Sequence, residues 1–384
     1  MKNINNIKII RPLWIEIDFK ALAHNYCAIK KFVGKNVKII ATVKQSAYGH
    51  GLVQVAKRLH KEGVDYFGVG SIEEACLLRQ AGLNEPILVL TAVLDKFAHE
   101  FIENRVTATV VSLTFAKKLD AAAKKAGKIV PVHVKIDTGM GRLGIYYKQD
   151  KQAHQFIQSL AKLKNIKLEG IFTHFPSADC DRTYTLKQTD KFNAFIEELK
   201  QEGIDFQYHH CANSAGTLYF PKAHFNMVRP GLILYGMKPG AQVPFALKPV
   251  LALKSRVVFS KHLPAGVSVS YGRTHFTKKP TNVVTVAAGY ADGYPWALSK
   301  AQEDKNPPRV IIKNKFYKVV GRVCMDHIMV DTGNDQVKPG EEVILIGKQG
   351  KLEVTAQDVA DWARTIPYEI TSRLSLKTPR IYKN

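Results

Sequence analysis

The chain has no cysteine pair. Its five cysteines, Cys27, Cys76, Cys180, Cys211 and Cys324, stand singly and far apart, with no CxxC among them. That argues against a zinc site and a disulfide framework, and it fits a reducing compartment, the cytoplasm. No apolar run approaches the roughly 20 residues that cross a bilayer, so no membrane partner is expected. The opening MKNINNIKIIRPLW has neither a long apolar core nor a small-residue cleavage site, and it does not read as a secretory signal. Internal repeats and low-complexity segments are absent. Acidic residues are scarce: 33 Asp and Glu stand against 56 Lys and Arg, a formal charge of +23. Such a balance raises the question of nucleic acid. The lysines, however, are spread along the chain (Lys117-Lys118, Lys124-Lys125, Lys278-Lys279, Lys313), and no stretch gathers them with interleaved aromatics. A solvated lysine surface is expected, with no nucleic-acid partner, and it would help attract small anions.

The 384 residues suffice for two domains, each with its own core. From Val37 to about Tyr235 short apolar runs alternate with helical stretches. The runs are 37–44, 66–69, 87–90, 107–111, 132–137, 168–175, 208–211 and 227–231; helical stretches include one ending at Lys61, one at Glu73–Gln80 and one at Ala116–Ala126. Alternation of this kind implies parallel strands, and eight units in this length suit a (β/α)8 TIM-type barrel. After about Pro244 helical periodicity fades. LALKSRVVFSKHL, NVVTVAAGY, PRVIIKNKFYKVVGRVCMD and EVILIG are separated by turn residues, with one late helix around Ala356–Arg364. The fold class is therefore α/β: an N-terminal barrel over residues 12–245 followed by a mostly-β C-terminal domain over 246–384. The strand-like Trp14–Phe19 could join either domain.

In a parallel barrel the chemistry sits where strands end, and the unusual residues of this chain lie there. Lys44 closes the first run. Taken alone, a lysine there is more often one that snorkels to solvent. Ala47-Tyr48-Gly49-His50-Gly51 follows it, where two glycines let backbone come close to a ligand, and a lysine partly removed from water becomes a usable nucleophile. The fifth run ends in Lys135-Ile136-Asp137-Thr138-Gly139-Met140-Gly141-Arg142, and Arg142 can grip a carboxylate with two parallel hydrogen bonds. His174 closes the sixth, although a lone histidine is usually structural. Asn213-Ser214-Ala215-Gly216 follows the seventh and Arg229-Pro230-Gly231 the eighth, the region where barrels often hold a phosphate.

Together these segments resemble the alanine racemases, the pyridoxal-phosphate (PLP) enzymes of fold type III. ATVKQSAYGHG, VKIDTGMGRLG, GIFTHF, NSAGTL and VRPGLILYG occur in the family's order, and SVSYGRTHF, AAGYADGYPW, GRVCMDHIMVD and IPYEI continue it from about Trp14 to Arg380. The resemblance implies an isomerase that interconverts L- and D-alanine and supplies D-alanine for peptidoglycan. It implies that Lys44 carries PLP and is one catalytic base, and that Tyr271 is the other, acting on the opposite face of the substrate. Arg142 would contact both cofactor and substrate carboxylate, and the Met325 backbone would meet that carboxylate too. Arg229 would face the pyridine nitrogen, with His174 between Arg229 and Tyr271. Tyr48, Ser214, Gly231, Leu232 and Tyr368 would hold the phosphate, and Tyr290 and Arg322 would line the access route. Lys135 matches a lysine that is carbamylated in some members. The family is homodimeric, with Tyr271 supplied in trans.

Two positions depart from the family pattern: Gln45-Ser46 replace a common Ala-Asn or Ala-Asp, and Trp296 stands where an arginine often follows Tyr-Pro. The second bears on substrate access and preference. The chemistry explains the residue types. Two bases on opposite faces suffice to remove and return a Cα proton. A tyrosine is a poor base unless neighbours favour its anion, and His174 with Arg229 would do so. An arginine, always protonated, would leave the pyridine nitrogen unprotonated. The basic-amino-acid decarboxylases of the same architecture carry a glycine-triplet loop, which this chain lacks. A serine or broad-spectrum racemase would share every catalytic residue, and a PLP-carrying barrel without catalysis would need neither Tyr271 nor the β domain.

Overall fold

A computed structural model describes residues 10–147, 150–240, 242–302 and 304–384. Contacts divide it into two units. One comprises residues 21–47 and 51–248, the other residues 10–20, 48–50 and 249–384. These ranges differ from 12–245 and 246–384 at residues 12–20, 48–50 and 246–248.

The first unit is a nearly closed barrel of eight parallel strands. Lys38–Thr42, Tyr66–Val69, Ile87–Val89, Thr107–Val110, Val130–Asp137, Ile166–Phe172 and Tyr208–His210 pair in chain order, and Met227–Val228 pairs back onto the first. All eight apolar runs of the sequence thus become barrel strands, because residues buried on both faces leave no polar alternation. Between the seventh and eighth strands the Asn226 side chain takes the place of a ladder. Its Oδ1 accepts from His209 N at 2.8 Å and its Nδ2 donates to Gln207 O at 2.8 Å. Beyond the strand ends Arg229 N donates to Ala212 O at 2.9 Å. Helices alternate with the strands, among them Leu52–Lys61, Ile72–Gln80 and Leu113–Lys125. Ser71 and Ser112 cap the last two by accepting from the N–H three residues on. Ile40, Tyr66, Leu88 and Met227 form a core cluster inside the barrel.

The second unit is built on a nine-stranded, mostly antiparallel sheet. Its longest strand, Leu251–Leu263, pairs with Thr281–Val286, with Glu342–Gln349 and with Leu13–Asp18. Leu13–Asp18 therefore lies in this sheet. On its other edge it pairs in parallel with Arg380–Lys383, the last strand of the chain. The late helix is Ala356–Ala363, opened by a reciprocal cap: Thr355 Oγ1 accepts from Asp358 N, and Asp358 Oδ2 accepts from Thr355 N. Arg364 ends it in the left-handed conformation (φ 55°).

Candidate active site

Five of the eight barrel strands, the first and the fifth to the eighth, end in a turn that carries an expected residue. After Val43, the turn Lys44–Tyr48 winds left-handed, with Gln45, Ser46, Ala47 and Tyr48 at φ 53–54° and none of them glycine. L-residues resist this by roughly 1–2 kcal/mol each, so something must hold the turn. Glu74 does part of it, accepting from Gly70 N at 2.9 Å and from Ser46 N at 3.0 Å with its two carboxylate oxygens. Ala47 N closes onto Val43 O, and Gly51 N onto Ser46 O, both at 2.8 Å. Lys44 is half-buried. Burial lowers its amine pKa, and so do the nearby Arg142 and Arg229 guanidinium groups, against an opposing pull from Glu74.

The fifth strand presents Lys135 and Asp137 at its end. The Asp137 carboxylate is used up by the glycine turn. It accepts from Gly139 N, Met140 N and Gly141 N, each at 2.8 Å. That fixes the loop and leaves Arg142, just beyond it, with an exposed side chain. Lys135 is 4% exposed, with its Nζ 4.5 Å from the Phe172 ring centroid. Burial, Arg229 and Arg142 bring its pKa down to about 7.

Arg229, 4% exposed, is the centre of the barrel mouth. Its Nη1 donates to His210 Nδ1 at 2.6 Å and to His210 O at 2.9 Å. Its Nη2 donates to Thr173 O at 2.7 Å, to Cys211 O at 3.1 Å and to His174 Nδ1 at 3.2 Å. Among the described residues its Nε makes no hydrogen bond and no carboxylate pairs with it. Burial lowers its pKa to about 10. His174 is held well below its usual pKa by burial and by Arg229, so it is neutral and its Nδ1 is an acceptor. Ser214 Oγ accepts from Gly231 N at 2.9 Å, which joins the turns after the seventh and eighth strands, and Leu232 is half-buried beside them. Lys44, Lys135, Arg142, His174 and Arg229 thus share one electrostatic neighbourhood.

In the other unit, Tyr271, Tyr290 and Met325 lie on three linked loops. Ser270 Oγ donates to Arg322 O at 2.6 Å, Tyr290 N to Cys324 O at 3.0 Å, and Ala291 N to Met325 O at 3.0 Å. The turn at Tyr271 depends on Gly272 (φ 70°), where a Cβ would stand 2.7 Å from the Arg322 guanidinium carbon. Tyr271 is 71% exposed, Met325 54% and Tyr290 44%. Tyr48 and Tyr368 belong to this unit as well and interact with each other; burial raises the Tyr48 phenol.

Two buried residues of the barrel, His133 and His210, went unremarked in the sequence. Their signal is a histidine inside an apolar run, in PVHVKID and in YHHC.

The family model described as "Alanine racemase, N-terminal domain" matches residues 17–239, and "Alanine racemase, C-terminal domain" matches residues 250–382. The chain belongs to the alanine racemase family. A curated alanine racemase of Halothermothrix orenii is 42% identical over 99% of both chains. The structure of alanine racemase from Clostridium difficile 630 is 40% identical, with a TM-score of 0.90 over 98% of this chain and 97% of that one. Alanine racemase from Bacillus anthracis, solved with bound L-Ala-P, is 36% identical, with a TM-score of 0.90 over 98% and 96%. The family is one of PLP-dependent racemases, so the chain is an isomerase of that class.

Proposed function

We propose that this protein racemises alanine, with PLP carried by Lys44 and with Lys44 and Tyr271 as the two bases. The observation that carries the reading is the barrel mouth: an amine of lowered pKa at a strand end, beside a buried arginine with no carboxylate partner among the described residues. The donor set fits PLP, which brings a phosphate, a phenolate and a ring nitrogen, all acceptors. Lys44 supplies the nucleophilic amine. Arg229, which only donates, has its Nε free for the ring nitrogen. Arg142 is the cation for the phenolate, and Ser214, Gly231, Leu232, Tyr48 and Tyr368 would hold the phosphate. When bound, PLP supplies the electron sink that makes the Cα proton acidic.

The chain's own residues do the rest. Arg142 and the Met325 backbone hold the substrate carboxylate. The Lys44 amine, nearer neutrality than an ordinary lysine, serves one face: it removes the Cα proton in one direction of the reaction and delivers a proton there in the other. Tyr271 serves the opposite face, donating as the phenol when Lys44 accepts and accepting as the phenolate when Lys44 donates, and neutral His174, hydrogen-bonded to Arg229, favours its anion. Tyr290 and Arg322 line the access route. Lys135 is read as a carbamate site that steadies Arg142.

We further propose a homodimer in which Tyr271 comes from the partner chain. An exposed cluster of Tyr271, Tyr290 and Met325 supports a surface that another chain covers. Five unpaired cysteines support a cytoplasmic enzyme, there supplying D-alanine for peptidoglycan. Circular dichroism of L-alanine, L-serine and larger amino acids incubated with the PLP-loaded protein tests the reading. Alanine should lose its signal fastest; no racemisation of any of them would overturn it.

A further inference from the structure

Inside the barrel lies a line of polar side chains to which the racemase reading gives no task. From Arg229 Nη1 it passes to His210 Nδ1 at 2.6 Å, and from His210 Nε2 to His133 Nδ1 at 2.7 Å. His133 Nε2 faces the Glu169 carboxylate at 3.5 Å, an ion-pair distance, and makes no hydrogen bond to it or to any other group among the described residues. Glu169 also accepts from the Tyr66 hydroxyl at 3.0 Å and from Lys167 Nζ at 3.3 Å. Both histidines are fully buried. The backbone makes room for them. A Cβ at Gly170 would sit 2.6 Å from His133 Nδ1, and the Phe172 ring stacks on His210 at 4.8 Å and 6°.

The two ends fix the direction of every bond between them. A guanidinium only donates, an ionised carboxylate only accepts, and a neutral imidazole does one of each. Burial, and after it Arg229, holds both histidines below their usual pKa, His133 against an upward pull from Glu169, so each carries one proton. Burial pushes the Glu169 carboxyl up, but nearby His133 and the hydrogen bonds from Tyr66 and Lys167 outweigh it, and the group is ionised. Arg229 donates into His210 Nδ1, which puts the His210 proton on Nε2. That proton is given to His133 Nδ1, which puts the His133 proton on Nε2, facing Glu169. Reversing either ring would set two donors or two acceptors against each other.

We propose that Glu169 is the remote counter-ion of Arg229, and that His133 and His210, locked as Nε2–H tautomers, carry its influence through the barrel interior, making all three positioning residues for the arginine. The neighbourhood needs one. Lys44, Lys135, Arg142 and Arg229 crowd the mouth with positive charge, and the Asp137 carboxylate is taken up by its own turn. A chain of aligned N–H groups in a low-dielectric interior is polarised along its length by the charge at its end. It also holds the Arg229 plane in one orientation, which in turn aims its Nε.

The importance of this for turnover rests on the racemase reading; the tautomers do not. Neutron diffraction from crystals of the PLP-loaded wild-type enzyme locates the protons directly. Deuterium is expected on Nε2 of both His133 and His210, and density on Nδ1 of either would overturn the proposal whatever the enzyme catalyses. Kinetics then ask whether the charge acts. Glu169→Gln keeps the shape, removes the charge and replaces one acceptor oxygen by an NH2 donor. It should lower kcat for alanine about tenfold, the low end for loss of an outer partner of a buried site, with KM held within about twofold. Glu169→Asp, which restores the charge, should recover part of the loss. A wild-type kcat in Glu169→Gln, or a Glu169→Asp variant no better than it, would show that the carboxylate is a packing group alone.

Discussion

Lys135 should take up carbon dioxide. An ordinary lysine, with a pKa near 10.4, is neutral in about one molecule in 2,500 at pH 7. Lys135, with its pKa brought down to about 7, is neutral in about half. The reactive fraction of its amine is therefore raised on the order of a thousandfold. The neutral amine adds to carbon dioxide, its nitrogen bonding to the carbon, and one proton is released to solvent as the carbamate forms. The product is an anion among Lys44, Arg142 and Arg229, so repulsion becomes attraction. At fixed dissolved carbon dioxide the modified fraction should rise with pH through about 7, the pKa of the folded amine. In carbon-dioxide-free buffer the same shift sets the sign of the stability change. Between about pH 7 and 10 the unfolded chain holds the extra proton, so stability should climb with pH, by up to about 1.4 kcal/mol per unit. The assay is carbon-13 NMR of wild type and Lys135→Met equilibrated with carbon-13 bicarbonate at about pH 8. Wild type should show a protein-bound carbamate signal that the variant lacks, and bicarbonate should raise the denaturation midpoint of wild type only. A signal of equal size in both, or none in either, would refute the argument.

Borohydride should bleach the yellow holoenzyme and fix the cofactor on the peptide that contains Lys44; a label on any other lysine would remove the site assignment. Tyr271→Phe should lower racemisation by about 10²–10⁴-fold, while Cα–deuterium washout survives better from D-alanine than from L-alanine; equal losses would count against two opposed bases. Arg142→Lys keeps the charge but loses the fork, and should raise KM for alanine and lower kcat, together costing about tenfold or more in kcat/KM. Inactive Lys44→Ala and Tyr271→Phe chains, unfolded and refolded together, should regain about a quarter of the sites if the tyrosine is supplied in trans. No recovery, with mixed dimers confirmed by mass, would place it in cis.

The barrel was legible because each of its strands is a short apolar run between polar helices, and its site residues were legible because they interrupt those runs at one end. Lys44, Lys135, His174 and Arg229 all stand out in this way. Features set by distant partners were not. Leu13–Asp18 alternates like any strand, and its place in the second sheet depends on residues 251–263 and 380–383. The left-handed turn at Gln45–Tyr48 contains none of the residues that tolerate it best, and local propensity argues against it. His133 hides in an apolar strand because its neighbours, His210 and Glu169, come from two other strands, and no single-strand pattern registers contacts between strands.

The order in which the chain is made matters for the sheet that holds Leu13–Asp18. That strand leaves the ribosome well before its antiparallel partner at 251–263 and its parallel partner at 380–383. Arg380 also reaches back across 331 positions to donate to Gly49 O at 2.8 Å, and a Cβ at Gly49 would sit 1.9 Å from Thr371 O. The segment that follows the Lys44 turn is thus tied to residues made 331 positions later. Pairings this distant form late and slowly. A chain cut short before residue 380 would keep all eight barrel strands but leave Leu13–Asp18 with an unpaired edge, open to aggregation or to proteases.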